Sequence, residues 1–269
     1  MQVVILCGGQ GTRLREETEF RPKPMVEIGG YPILWHIMMS YIHYGYSDFI
    51  LCLGYRGNLI KEYFLDYEAM NNDFTIHIGN GSKSIELHGA YQKQDFRVTL
   101  ANTGLDTMTG ARVKQIEHYI TGDSFMLTYG DGLSDINLRS LTEFHQTHGR
   151  IATVSAVNPA SRFGVLEMGG DQQVKRFIEK PKSETRTSAG FFVLNRRVFD
   201  YISLDPGCTF EREPLEQLAL DDQLAAYQHD GFFYAMDTYR EYLYLNDLWS
   251  SGAAPWAVWD GQKRAASGG

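Results

Sequence analysis

A three-layer α/β fold around a mostly parallel, mixed sheet is predicted by three features of the 269-residue chain. Apolar runs at residues 3–6 and 49–53 are continuous rather than alternating, as in strands buried on both faces. Stretches with helical apolar spacing, at 33–45 and 111–119, alternate with the strand-like ones. Glycines stop two strand-like runs abruptly, at Gly8-Gly9 and at Gly130-Asp131-Gly132. A parallel sheet binds its ligands at such carboxyl ends.

Taken in order, residues 3–6 read as a strand, 33–45 as a helix and 49–53 as a second buried strand. Tyr55-Arg56-Gly57-Asn58 breaks that run before a short helix at 59–64. Residues 75–78 and 97–102 read as strands, 111–119 as a helix, and 125–128 as a strand ending at Tyr129-Gly130-Asp131-Gly132. The second half changes character. Short strands at 152–157, 164–168, 173–179 and 190–194 are separated by turns rich in Gly, Pro and Ser, and helices follow at 210–220 and 239–249. No sharp linker or internal repeat divides the chain, so residues 1–260 are expected to form one domain, with a core at 1–135 and a second region at 136–260. The small, polar tail 261–269 is expected to be disordered.

Composition narrows the class of protein. The net charge of −8 argues against a nucleic-acid groove or an anionic membrane surface as partner. Any phosphate must then be met by a local cluster of Arg and Lys. Three widely spaced cysteines, Cys7, Cys52 and Cys208, suit a reducing cytosol better than a disulfide framework. No apolar stretch approaches the roughly 18 residues of a membrane span, and a cytoplasmic protein is expected. His145 and His148 share a helical face without a nearby carboxylate, which favours a partly exposed helix over a metal site.

The first glycine loop, Gly8-Gly9-Gln10-Gly11-Thr12-Arg13, brings backbone N–H groups to the end of a strand, where a phosphate can approach them. It is not a P-loop, which closes with Gly-Lys-Ser/Thr, and it lacks the third glycine of a dinucleotide fingerprint, Leu14 standing in that place. Arg13 adds a cation, and ten residues on Lys23 adds another between Pro22 and Pro24, which stiffen the backbone around it.

These residues, with Met25, resemble the signature of the sugar-1-phosphate nucleotidylyltransferases. Within that family the run Lys23-Pro24-Met25-Val26-Glu27-Ile28-Gly29-Gly30, followed by Pro32-Ile33-Leu34-Trp35-His36, is similar to glucose-1-phosphate cytidylyltransferases. The similarity continues through Gly54-Tyr55, Lys61-Glu62-Tyr63-Phe64, residues 106–112, Tyr129-Gly130-Asp131-Gly132, Phe191-Phe192-Val193-Leu194 and Ala254-Pro255-Trp256. The resemblance implies a Rossmann-like, GT-A-like nucleotidyltransferase fold with a small β-rich sugar-binding region. It implies transfer of a nucleotidyl group from CTP to a sugar 1-phosphate, with Mg²⁺ as cofactor, release of pyrophosphate and assembly into a homo-oligomer.

A phosphate monoester is largely ionised at neutral pH, its second pKa lying near ~6, so the attack requires no general base. What such a reaction needs is positioning and charge neutralisation. Arg13 is expected to pair with the β and γ phosphates, and Lys23 with the α-phosphate or the sugar phosphate. The resemblance places the nucleotide against Leu6, Gly8, Gly9, Gly11 and Thr12, and it makes Asp131 and Asp237 the metal ligands. Read without it, each aspartate is a turn or helix-cap residue, and Asp237 before Thr238-Tyr239-Arg240-Glu241 suits a cap. Base choice is assigned by resemblance to Met108-Thr109-Gly110-Ala111-Arg112, with Arg112 able to donate to the cytosine O2. The alternative there is a helix capped by Thr109 with Arg112 in solvent.

The sugar side is expected to comprise Tyr129, Gly164, Glu179, Lys180, Ser188 and Ala189, with Glu179 on sugar hydroxyls and Lys180 a catalytic cation on the sugar phosphate. Two positions depart from the family pattern. Ala111 replaces a glycine, and Ser188-Ala189 replaces Asn-Gly, losing the two-ended hydrogen bonding of an amide. Glucose 1-phosphate is the leading acceptor, with another hexose, a heptose, another small phosphate or another nucleoside triphosphate as alternatives. A catalytically silent nucleotide-sugar sensor is the alternative from a different class.

Overall fold

The computed structural model describes residues 1–9, 11–79, 82–88, 95–158, 164–179 and 185–260. Seven strands form the central sheet: β1 (Gln2–Cys7), β2 (Asp48–Leu53), β3 (Arg97–Asn102), β4 (Ser124–Tyr129), β5 (Ala152–Val157), β6 (Thr187–Asn195) and β7 (Leu224–His229). Their spatial order is β7-β5-β6-β4-β1-β2-β3. All run parallel except β6, which is antiparallel to both of its neighbours. Strands from the second half therefore extend the sheet begun by the first.

The continuous apolar runs have the expected cause. Val3, Ile5 and Cys7 face one core, while Val4 and Leu6 face another on the opposite side of the sheet. Helices α1 (Ile33–His43), α2 (Gly57–Leu65), α4 (Leu138–His148) and α6 (Tyr239–Ser250) contribute to the first core through residues such as Ile37, Ile60, Leu141 and Leu245. Helices α3 (Thr109–Gln115) and α5 (Glu213–Leu220) contribute Val113 and Leu218 to the second. Three layers result.

Two hairpins stand apart from that sheet, the first of them alternating in sequence. Residues 75–78 belong to Asp73–Gly79, which pairs with Ser82–His88 in a separate hairpin rather than joining the main sheet. Only every second residue there is apolar, so one face suffices for Phe74, Ile76, Ile85 and Leu87. Val165–Met168 and Val174–Ile178 form a second exposed hairpin. Three boundaries move with consequences for the site. The helix expected from residue 111 starts at Thr109, with Met108 as its N-cap and a 3₁₀ turn (Glu117–Tyr119) after it. The helix expected from residue 210 starts at Glu213, with Pro214 in its first turn. Strand β7, at the sheet edge and only half-buried, carries too weak an apolar pattern to be read from sequence. The tail 261–269 lies outside the described residues.

The histidine pair, one buried and one half-buried, ties α4 to β5 through Thr153. His145 is buried, and its Nδ1 lies 2.8 Å from Thr153 Oγ1. The Arg150 N–H donates to His148 Nδ1 at 2.9 Å, so His148 Nε2 carries a proton and donates to Thr153 Oγ1 at 2.7 Å. The Thr153 hydroxyl then donates to His145. Burial, with His148 alongside, pulls the His145 pKa down to about 4. An unfolded chain would bind this proton near pH ~6.5. The associated stability is present above that pH and is lost as the pH falls towards 4, by about 3 kcal/mol at most. Thermal unfolding between pH 7 and 4 should therefore fall more steeply for the wild type than for His145→Gln; parallel curves would refute this assignment.

Candidate active site

The sheet order places a topological switch at β1, which has β2 on one side and β4 on the other. A crevice opens at the carboxyl ends of β1 and β4, where ligands bind in open α/β sheets. It is a cleft of about 300 Å³. Leu6, Gly8, Gly9, Gly11, Thr12 and Arg13 line it from the first loop, with Lys23 beside them. Thr109, Arg112, Tyr129, Asp131 and Asp237 complete the walls.

The first loop is anchored at both ends. Leu14 is fully buried in the core, and the Thr18 hydroxyl bonds to the Leu14 and Gly11 carbonyls at 2.7 and 2.9 Å. Tyr55, which sequence reasoning did not single out for the site, holds the loop from β2. Its N–H donates to the Gly8 carbonyl at 3.4 Å, and its hydroxyl lies 3.3 Å from the Thr18 carbonyl. Gly8 is required by a close approach, since a Cβ there would lie 2.2 Å from Arg112 Cζ.

Lys23 lies in a 3₁₀ turn (Lys23–Met25) whose first bond runs from Met25 N–H to Pro22 O at 2.8 Å, with Pro24 buried behind it. Its Nζ donates to Asp131 Oδ2 at 2.6 Å and to Asp237 Oδ1 at 2.8 Å. Burial disfavours the ammonium, but the charges and hydrogen bonds of Asp131 and Asp237 outweigh it and the Lys23 pKa rises. Arg13 is 3.3 Å from Asp237 Oδ2, its side chain otherwise exposed. Two carboxylates 108 and 214 residues away in sequence thus converge on one point beside Lys23. Such oxygen donors suit Mg²⁺, which takes one or two carboxylates and completes its shell with water and substrate phosphates.

Asp131 does lie in a turn, but Asp237 is not the cap it resembles in isolation. Thr238 is the N-cap of α6, and Glu241, buried in its first turn, accepts from the N–H groups of Asp237 and Thr238, both at 2.7 Å. That releases the Asp237 side chain toward Lys23. The Thr238-x-x-Glu241 spacing is the sequence signal for this capping box.

Arg112 is neither in solvent nor turned freely into the cleft. It is buried, and its terminal nitrogens donate to the carbonyls of Leu53, Gly104, Gly8 and Leu105 and to the Thr103 hydroxyl, at 2.7–3.3 Å. Burial lowers its pKa. The guanidinium thereby joins the ends of β1 and β2 to the loop that follows β3. Cys7 lies on the cleft floor, where burial raises its thiol pKa well above the ordinary value and disfavours the thiolate.

On the sugar side, Tyr129 lines the cleft, whereas Gly164, Glu179, Ser188 and Ala189 do not, and in the base segment Thr109 and Arg112 line it while Gly110 does not. Ser188 and Ala189 open β6 next to a bulge against β5, and Gly190 (φ 75°) packs its Cα on the Tyr129 ring. A Cβ at Gly190 would lie 2.4 Å from that ring. Bulges commonly sit beside active sites and re-aim side chains. Gly164 packs against Phe177 and Glu179 in the second hairpin. Lys180 lies outside the described residues. Burial and the charge of Glu211 raise the Tyr129 pKa, and its hydroxyl donates to Glu211. Glu211 had no local sequence signal, for its partners Thr109 and Tyr129 are 102 and 82 residues away.

The profile of the family described as "Nucleotidyl transferase" matches residues 2–250. This chain is a nucleotidyl transferase of that family. The transferase is 48% identical over 259 residues to "Probable glucose-1-phosphate cytidylyltransferase" of Bacillus subtilis, covering 96% of this chain and all of that one. It is 47% identical over 262 residues to "Glucose-1-phosphate cytidylyltransferase" of Salmonella typhimurium, covering 97% of this chain and all of that one. Among solved structures, UDP-glucose pyrophosphorylase complexed with UDP-glucose is similar in fold, with a TM-score of 0.66 at 16% identity over 93% of this chain and 98% of that one. Among the described residues of this transferase, no helix is long and apolar enough to cross a membrane.

Proposed function

We propose that this nucleotidyl transferase joins CTP to a sugar 1-phosphate, glucose 1-phosphate foremost, giving a CDP-sugar and pyrophosphate. The observation that carries this reading is Lys23 between Asp131 and Asp237, at the switch point and beside the glycine loop. The family and the identity to cytidylyltransferases over nearly the whole chain support the choice of substrates.

The chemistry follows from charge. The attacking phosphate oxygen is already an anion at neutral pH, so the protein must bring it to a second anion rather than take a proton from it. Backbone N–H groups of the first loop and Arg13 receive the leaving pyrophosphate, on which charge accumulates. Lys23 neutralises the α-phosphate or the incoming phosphate from a turn stiffened by prolines, so little reorganisation is needed at the moment of transfer. Asp131 and Asp237 would hold Mg²⁺, which when bound neutralises phosphate charge and orients the triphosphate. Lys180 belongs to this proposal as the cation on the sugar phosphate, with Glu179 and Ser188 on sugar hydroxyls. We place the enzyme in the cytoplasm as a homo-oligomer. The exposed apolar face of the hairpin carrying Phe74, Ile76, Ile85 and Leu87 supports assembly, and a monomer by light scattering would remove that part.

Pyrophosphate release measured for four nucleoside triphosphates against a panel of sugar 1-phosphates tests the whole. Turnover preferring UTP or dTTP to CTP would overturn the base assignment. Tight CTP binding without turnover on any sugar would favour a sensor.

A further inference from the structure

Because α5 starts late, the segment before it docks on the N-cap and first turn of α3. Met108 N–H donates to Pro206 O at 2.8 Å, Ala111 N–H to Cys208 O at 3.2 Å, and Phe210 N–H to Thr109 Oγ1 at 2.9 Å. Glu211 ends this segment. Its Oε2 accepts the Thr109 hydroxyl at 2.6 Å, and its Oε1 accepts the Tyr129 hydroxyl. Thr109 and Tyr129 both line the cleft, while Glu211 stands behind them.

A carboxylate is an odd neighbour for a site that must take several phosphates, since like charges repel. Its use lies in the direction of two protons. A threonine and a tyrosine hydroxyl each carry one proton, and both are given to Glu211. What they can then turn toward the cleft is lone pairs, one of them left on Thr109 after it accepts from Phe210 N–H. Arg13 and Lys23, each bonded to a carboxylate, supply N–H donors elsewhere in the cleft, so the two sets of side chains have opposite preferences.

We propose that Glu211 is a positioning residue for substrate choice, making the Thr109–Tyr129 wall an acceptor-only surface that selects a substrate N–H or O–H donor. This rests on reading the cleft as the nucleotidyl-transfer site. Two substrate groups have that chemistry. One is the exocyclic amine of cytosine, where uracil presents an oxygen acceptor. The other is a hydroxyl of the sugar 1-phosphate. Phosphate oxygens, which are acceptors, are turned away from this wall toward Arg13 and Lys23. Sites built to hydrogen-bond a polar substrate group discriminate strongly against analogues lacking it.

The test uses the full chain and pyrophosphate release. Glu211→Gln keeps the shape but replaces one acceptor with a donor, so one of the two hydroxyls must turn its proton elsewhere. Tyr129→Phe removes one acceptor outright and serves if the first variant is unstable. Specificity constants are compared for CTP against UTP, and for glucose 1-phosphate against its mono-deoxy analogues. A fall of about tenfold or more in one ratio is expected in both variants. Loss of the CTP preference assigns the wall to the base; loss of discrimination against a deoxy sugar assigns it to that hydroxyl. A uniform fall in all rates with both ratios unchanged, or no change at all, overturns the proposal. Wild-type protein that turns over no pair overturns the reading of the cleft itself.

Discussion

Lys23→Ala is expected to lower kcat by about 10²–10³-fold while leaving the fold intact, as loss of one preorganised charge at a reacting centre does elsewhere. The lysine side chain is 12% exposed and is held by Asp131 at 2.6 Å and Asp237 at 2.8 Å, so its ammonium is fixed before substrate arrives. The two aspartates are more open, at 30% and 21%, and water can solvate them once the lysine is gone. Stability should therefore change much less than rate. Lys23→Arg keeps the charge but replaces a compact ammonium with a planar fork, and it should recover only part of the loss. Steady-state pyrophosphate release and thermal unfolding on both variants provide the check. Turnover of Lys23→Ala within tenfold of wild type would mean that the chemistry lies elsewhere.

Much of this arrangement was legible because its signals are local. Strands β1 and β2 are buried on both faces and so appear as unbroken apolar runs, and the loop after β1 is crowded with glycines where it leaves the carboxyl end of the strand at the switch point. Lys23 announces itself through its flanking prolines. What stayed hidden depends on residues meeting across the chain. Glu211 sits in a stretch that reads as the start of a helix, and only the delay of α5 to Glu213 delivers it to Tyr129. Strand Ser82–His88 has a single apolar face and pairs with a neighbour instead of the sheet, which leaves it without the continuous run of a core strand. Asp237 reads as a cap because an aspartate before a helix usually is one; Thr238 and Glu241 perform that task and free it.

Arg112 is where sequence and structure assign one residue two different tasks, and its replacement separates them. Its side chain reaches five oxygen acceptors in three segments, and Gly8 lacks a side chain where the guanidinium lies. Arg112→Met preserves much of the volume but removes every donor, leaving the carbonyls of Gly8, Leu53, Gly104 and Leu105 without that partner. Buried acceptors left unsatisfied in this way cost roughly 1–3 kcal/mol each, offset in part because a guanidinium no longer has to be desolvated. The urea midpoint should fall accordingly, and the KM for CTP should rise because the loops on both sides of the cleft lose their common tie. Gly8→Ala should produce a milder form of the same defect, since its Cβ would push the guanidinium aside. If Arg112 instead reads the base directly, the result differs in kind. Stability would then hold while the preference for CTP over UTP collapsed. Unfolding in urea and the CTP-to-UTP ratio, measured on the same Arg112→Met protein, decide between a brace and a reader, and the five contacts with three segments of the chain favour the brace.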